Sequence, residues 1–261
     1  MKNMSDHSEK TNIIGSHISI WNLSETVDKI HDLARMSGSR YICVSNVHTV
    51  VEGYEDSHFA KITNEAALAT ADGMPLLWAS KILGGSRIHG RASGPDIMKL
   101  LLTDPKHASL SHYFYGSTPS VLENLKKSVL EMNPKIKIAG SMSPPIRPAK
   151  KCDEPLTDDE IAECEQISKT KADLIWVGLG APKQEIWMYR ARKHFNHGVL
   201  LGIGAAFDFL SGNKKRAPLW MQKSGLEWAH RMFSEPKRLV ARYASTNPVF
   251  IKAVLKQALN R

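Results

Sequence analysis

Short apolar runs separated by helix-length stretches organise this chain. Tyr41–Ser45, Tyr113–Tyr115, Ile136–Ala139, Leu174–Val177 and Val199–Ile203 are apolar almost throughout rather than alternating. Strands buried on both faces of a parallel sheet read this way. Each run is followed by a Gly, Ser or Asn turn. Between them, apolar residues recur at helical spacing over Leu23–Met36 (with Ser24 as its cap), Ser57–Leu68, Pro75–Leu83, Gly94–Leu102, Ser120–Met132 and Thr157–Thr170. Pro119 and Pro182 stand near helix starts, where a missing N–H does no harm. The alternation predicts an α/β fold: a Rossmann-like, mainly parallel sheet flanked by helices. Asn12–Ser19 alternates around a glycine and predicts a small N-terminal β-hairpin. From about Lys214 the chain turns helical, Trp-bearing and basic, which predicts a C-terminal helical appendage. The expected division is a disordered N-terminus over 1–11, an α/β core over 12–212 and a basic helical appendage over 213–261.

Composition narrows the partners. The 261 residues carry a formal charge of +9, so anionic partners are expected: nucleic acid, nucleotide, diphosphate or anionic lipid. Cys43, Cys152 and Cys164 are odd in number and widely spaced, with no CxxC. That argues against a disulfide framework or zinc site and fits a reducing cytoplasm. The polar start has no signal-peptide core, and no apolar run approaches the ~20 residues that cross a bilayer. Any membrane contact is expected to be peripheral.

Several turns carry candidate chemistry. In Ala71-Asp72-Gly73-Met74-Pro75, Asp72 reads either as a general base toward a hydroxyl or as a helix cap beside a turn glycine. Val177–Glu185 (VGLGAPKQE) runs from a strand through a glycine turn into a helix, whose exposed N–H groups and Lys183 suit a phosphate. Tyr115–Pro119, with Gly116 and Ser117, and Gly202–Phe209, with Gly204 and Asp208, are two further turns at strand ends. Such loops gather at one sheet edge, the usual ligand crevice. No DxD pair is present to hold a diphosphate through a metal, which leaves Lys, Arg and helix N-termini for that task. None of the histidines makes a tight metal-ligand pattern, and His48 reads best as a satisfied, partly buried side chain. In the tail, Arg216, Arg231, Arg238 and Arg242 recur among apolar residues. Pro248–Arg261 sets Val249, Phe250, Ala253 and Val254 against Lys252 and Lys256: either a membrane-surface helix or an ordinary packed one.

The order of these blocks resembles the WecG/TagA/CpsF glycosyltransferases. The markers are Ala71–Pro75, Gly90–Met98 (GRASGPDIM), Gly178–Glu185 (GLGAPKQE), Gly202–Gly204 with Phe207-Asp208, Lys215–Pro218 (KRAP), Gly225–Trp228 (GLEW) and Glu235–Leu239 (EPKRL). The resemblance implies an inverting, metal-independent transfer from a UDP-sugar to a polyprenyl-diphosphate-linked saccharide. It implies that Asp72 is the base and that Asn46 and Arg91 are pocket residues, Arg91 stabilising the departing diphosphate. Gly180, Lys183, Gln184 and Glu185 would line the nucleotide site, with Gly116, Ser117, Gly178, Gly204 and Asp208 beside them. Arg238 and Arg242 would close over the site from a membrane-held appendage, with Arg216 and Arg231 on the same acceptor and membrane side. The family also suggests self-association. Val44 stands where many members have Thr, so Ser45 is the alternative hydroxyl. Gly140–Pro145 (GSMSPP) replaces a common Gly-Tyr-Phe stretch. The chain is therefore similar to the exopolysaccharide branch with xanthan-type β-1,4-glucosyl transfer. UDP-glucose and an N-acetylmannosamine donor both stay open.

Other classes fit less of the sequence. A nucleic-acid-binding module is suggested by charge alone and lacks a recognisable motif. A dehydrogenase needs GxGxxG after the first strand, where Ser45-Asn46-Val47-His48 stands instead. A nonenzymatic membrane scaffold would use only the tail.

Overall fold

The computed structural model describes residues 9–148 and 150–260, so most of the expected disordered N-terminus lies outside the described residues. A two-stranded antiparallel hairpin opens the chain, β1 (Lys10–Ile13) and β2 (Ser16–Ser19). A six-stranded sheet follows, built from β3 (Arg40–Ser45), β4 (Leu68–Ala71), β5 (Ser111–Gly116), β6 (Lys137–Met142), β7 (Leu174–Gly178) and β8 (Val199–Gly202). Its order is β4-β3-β8-β7-β5-β6, and every pairing is parallel. The expected class is therefore the observed one.

The helices are α1 (Leu23–Arg35), α2 (Val47–Glu55), α3 (Ser57–Asn64), α4 (Met74–Ile82), α5 (Gly94–Thr103) and α6 (Pro119–Met132). They continue with α7 (Asp158–Lys169), α8 (Lys183–Ala191), α9 (Ala206–Leu210), α10 (Leu219–Lys223), α11 (Glu227–Ser234) and α12 (Pro236–Leu259). Local chemistry explains the differences from expectation. Helix α1 is capped by Asn22, not Ser24. The Asn22 side chain accepts from the Glu25 N–H and Glu25 accepts from the Asn22 N–H, and only Asn22 has a glutamate three residues on to return the bond. The stretch expected as one helix to Leu68 stops at Asn64, and Leu68–Ala71 becomes a fully buried edge strand of small residues. Helix α2 begins at Val47 because Asn46 and Thr49 form a second reciprocal cap.

The sheet is covered on both faces. Leu101, Phe114, Leu125, Trp176 and Phe207 belong to the cluster under α1, α5, α6 and α9. Tyr41, Phe59, Ile62, Tyr115, Cys164 and Trp187 belong to the cluster under α3, α7 and α8. So α6 and α9, following β5 and β8, pack on one face, while α8, following β7, packs on the other. Where neighbouring strands send their helices to opposite faces, the carboxyl edge of the sheet opens into a crevice.

The C-terminal helix is tied to the chain's start. Phe250, Ala253 and Val254 are buried with Ile13, Ile18, Val50 and Leu76. Gln257 accepts from the Ile14 N–H at 2.7 Å and donates to the Asn12 carbonyl at 3.1 Å. The apolar stripe read as a membrane face therefore turns inward, and the reading as a packed helix holds for these residues. Ile251, Leu255 and Leu259 form a different, exposed stripe. Among the described residues no helix is long and apolar enough to cross a membrane.

Candidate functional site

Most candidate core residues follow the last residue of a parallel strand. Asn46 follows β3, Asp72 follows β4, Ser117 follows β5, and Gly180 and Gly204 stand two residues beyond β7 and β8. Parallel pairing puts all these ends on one edge, so the topology itself assembles them. Two cavities open there.

The first is a cleft of about 250 Å³ lined by Asn46, His48, Asp72, Arg91, Gly180, Gln184, Gly202 and Gly204. Glu227, Trp228, Arg231, Arg242 and Tyr243 close it from the C-terminal helices. Asp72 is half-buried, and its backbone N–H is fixed to the Ser45 carbonyl at 2.7 Å. The cap of α4 is Gly73, at a φ of +112° and without a side-chain bond, so the capping role for Asp72 falls away. Desolvation, with Glu227 adding, pushes the Asp72 carboxyl up to about 6 against the pull of Arg231, Arg91 and Arg216. Such a carboxylate is ionised at neutral pH and basic enough to take a proton from a hydroxyl in flight. His48 lines the same cleft. Burial, helped by Arg242, lowers it to about 4, so it is a neutral imidazole.

Four charges frame this cleft. Glu227 accepts from Arg91 at 2.7 Å and from Arg216 Nε at 2.9 Å. Asp96 accepts from Arg216 at 2.5 Å and 2.9 Å and from Arg91 at 3.3 Å, and Ser93 adds a hydroxyl to Asp96 at 2.5 Å. Burial alone would raise both acids. The arginines outweigh it and hold Asp96 and Glu227 below the usual carboxylate range. The network joins the block around Arg91 to the KRAP and GLEW blocks. Arg216 is thus a strut and not part of the cleft lining. Arg231 lines the cleft, with its Nε buried and without a hydrogen-bond partner among the described residues.

The second cavity, about 310 Å³, opens between β5 and β7, whose helices leave to opposite faces. Ser117, Gly178 and Lys183 line it, together with Tyr115, Arg147, Trp187 and Arg190. Ser117 sits at a φ of +60°, a costly conformation for a residue with a side chain. Tyr115 stacks on Trp187 at 4.4 Å and donates to Glu163 at 2.6 Å, and Glu163 also holds Arg147 at 2.6 Å. Lys183 donates to the Arg147 carbonyl at 3.2 Å.

The residues read as catalytic, donor-binding and acceptor-side are thus redistributed, and the donor-binding set divides between two cavities. Asn46, Asp72, Arg91, Gly180, Gln184, Gly204, Arg231 and Arg242 share the first cleft; Ser117, Gly178 and Lys183 belong to the second. Gly116 lines neither: it is buried against Gly178, where a Cβ would stand 2.7 Å from backbone. Glu185 lies on the buried side of α8, and Asp208 pairs with Lys214 at 3.2 Å. The Arg238 side chain lies outside the described residues. Val44 lines the cleft, while Ser45 is not among its lining residues. Sequence reasoning missed Glu227 as a site carboxylate, although it lies inside the quoted GLEW block. Among the described residues no group of three or more His, Cys, Asp or Glu side chains could hold a metal ion.

The chain is similar to known proteins over nearly its whole length. An N-acetylglucosaminyldiphosphoundecaprenol N-acetyl-beta-D-mannosaminyltransferase of Bacillus subtilis (strain 168) is 27% identical over 245 residues, covering 92% of this chain and 89% of that protein. A protein of the same name from Staphylococcus aureus (strain MW2) is 26% identical over 255 residues, covering 95% and 92%. The sequence model described as the glycosyl transferase WecG/TagA/CpsF family matches residues 11–261, and the chain belongs to that family of glycosyltransferases.

Proposed function

We propose that this glycosyltransferase moves a hexose or N-acetylhexosamine from a UDP-sugar to a polyprenyl-diphosphate-linked saccharide, inverting the anomeric centre without a metal. The observation that carries the reading is the cleft itself: a carboxylate of raised proton affinity, Asp72, in one crevice with Arg91, Arg231 and Arg242. The acceptor hydroxyl oxygen attacks the anomeric carbon while Asp72 takes its proton. The bond from that carbon to the phosphate oxygen breaks, and UDP leaves with the electron pair. Negative charge grows on the diphosphate, and the arginines stabilise it where a metal ion would serve in other enzymes.

The two cavities suit the two ends of such a donor. Gly178 lines one and Gly180 the other, so the β7 turn bridges them. The sugar and diphosphate take the Asp72 cleft, and the uridine extends toward Ser117 and Lys183. The acceptor lipid fits a peripheral enzyme. Leu219, Trp220 and Phe233 are 71%, 64% and 82% exposed beside the basic residues of 213–261, a composition suited to an anionic membrane surface. The Bacillus and Staphylococcus relatives, by name, act on a diphosphoundecaprenol-linked sugar, which supports the same acceptor class.

A donor panel tests the reading. Purified protein is given a lipid-diphosphate-linked N-acetylglucosamine and, in turn, UDP-glucose and UDP-N-acetylmannosamine, with and without EDTA. A product heavier by one sugar, formed equally in EDTA, is expected with one donor. No added sugar from any UDP donor, or complete loss in EDTA, contradicts it.

A further inference from the structure

Glu185, the single acid of the GLGAPKQE block, is 1% exposed and lines neither cavity. Its Oε1 accepts from Gln184 Nε2 at 2.8 Å, and its Oε2 has no hydrogen-bond partner among the described residues. A half-satisfied carboxyl in such a place opposes folding, and an apolar side chain of the same shape would sit there more cheaply. What it supports is the neighbouring amide. Gln184 Oε1 accepts from the Gly204 N–H at 3.0 Å. That N–H can only donate, so the amide must present its oxygen to Gly204 and its nitrogen to Glu185, and the group at 185 must accept.

The bond to Gly204 matters to the cleft. Gly204 holds a φ of +55°, and at Gly202 a Cβ would stand 3.1 Å from Gln184 Nε2 and 2.6 Å from Met188 Cε. The Gly202–Gly204 turn therefore lies directly on the Gln184 amide, and all three residues line the Asp72 cleft. We infer that Glu185 is a positioning residue, locking the Gln184 amide in the one orientation that pins the Gly202–Gly204 turn where the donor diphosphate binds. This rests on the proposed donor reading for its ligand, but not for the pinning itself. Burial also lifts the Glu185 carboxyl to about 7, and either protonation state leaves Oε1 able to accept.

Two substitutions separate positioning from structural support. Glu185→Met keeps the shape and removes the acceptor; Glu185→Gln keeps an acceptor oxygen. Each is compared with wild type by thermal melting, by UDP titration calorimetry and by hydrogen exchange of the Gly204 amide. Glu185→Met should exchange Gly204 faster and bind UDP about tenfold more weakly, the scale of one lost hydrogen bond to a fixed partner. Glu185→Gln should stay near wild type in exchange and UDP affinity. The inference is overturned if folded Glu185→Met keeps wild-type Gly204 exchange, if it binds UDP like wild type, or if Glu185→Gln behaves the same as Glu185→Met. Wild-type protein that does not bind UDP overturns the donor reading instead, and Gly204 exchange still decides the pinning.

Discussion

Arg91 and Glu227 meet at 2.7 Å although 136 residues separate them in the chain. The pair joins the core to the C-terminal helices at the rim of the cleft. Glu227 also holds Arg216, so neutralising it frees two arginines at once. Glu227→Gln should lower stability by about 2 kcal/mol, below the cost of a fully buried pair because both partners keep some solvent contact. Limited proteolysis should cut faster within 213–235. The Asp72 proton affinity should fall as its acidic neighbour goes, moving the acidic limb of the pH–rate profile to lower pH. Unchanged proteolysis together with an unmoved limb would remove the pair from the account.

Asp72 should trade stability for function. Its carboxyl holds a proton more tightly in the folded than in the unfolded chain, since burial raises it to about 6. The folded state therefore binds more protons in that window, and stability from this residue falls as pH rises from about 4 to about 6. Above that range the buried charge is a standing cost. Asp72→Asn should melt higher than wild type at pH 7.5 and level with it below pH 4. Melting across a pH series measures this, and a lower melting temperature at pH 7.5 would contradict it.

The two faces of the C-terminal helices should respond differently to substitution. Trp220→Ser with Phe233→Ser removes exposed apolar area and should leave melting unchanged while reducing sedimentation with anionic vesicles. Phe250→Ala opens the cluster shared with the N-terminal hairpin and should cost about 3 kcal/mol without a direct effect on vesicles. Sedimentation and melting on both variants check the pair. Full vesicle binding by the double variant would move the membrane contact elsewhere.

Close packing behind the cleft gives a further expectation. At Gly94, the first residue of α5, a Cβ would stand 2.8 Å from the Ile203 carbonyl oxygen. Backbone cannot yield as a flexible side chain does. Gly94→Ala should therefore cost about 1–3 kcal/mol and push α5 away from the β8 turn. Donor affinity should fall with it, read by UDP calorimetry at a temperature where both proteins stay folded.

The strands of the sheet were legible because parallel strands buried on both faces leave continuous apolar runs such as Leu174–Val177. Leu68–Ala71 escaped because its short run of small residues follows a helix and carries no β-branched or aromatic excess to mark it. Asp72, Asn46, Arg91 and Gln184, which line the cleft, were legible as candidates since each lies at a turn beside a strand end or in an ordered block. The separation of Ser117 and Lys183 into a second cavity was not readable, because it depends on which face each following helix takes. Glu227 needed tertiary structure too: its partners are set by the docking of α11 against the Arg91 block, which no local pattern encodes. The inward turn of Phe250 and Val254 follows from the same limit, since an amphipathic pattern shows that a face will be buried but not against what.

The central claim is that Asp72 removes the acceptor proton in a cleft that binds the donor independently of it. The most direct measurement sets transfer rate and UDP affinity side by side for wild type and Asp72→Asn, from pH 5 to 8, with the lipid-diphosphate acceptor and the donor selected by the panel. Wild-type transfer should fall as pH drops through about 6, as the Asp72 carboxyl takes up its proton. Asp72→Asn should lose about 10²–10⁴ in rate, the span of general-base catalysis, with UDP affinity near wild type. Transfer by Asp72→Asn at the wild-type rate, or loss of UDP binding in parallel with loss of transfer, would contradict it.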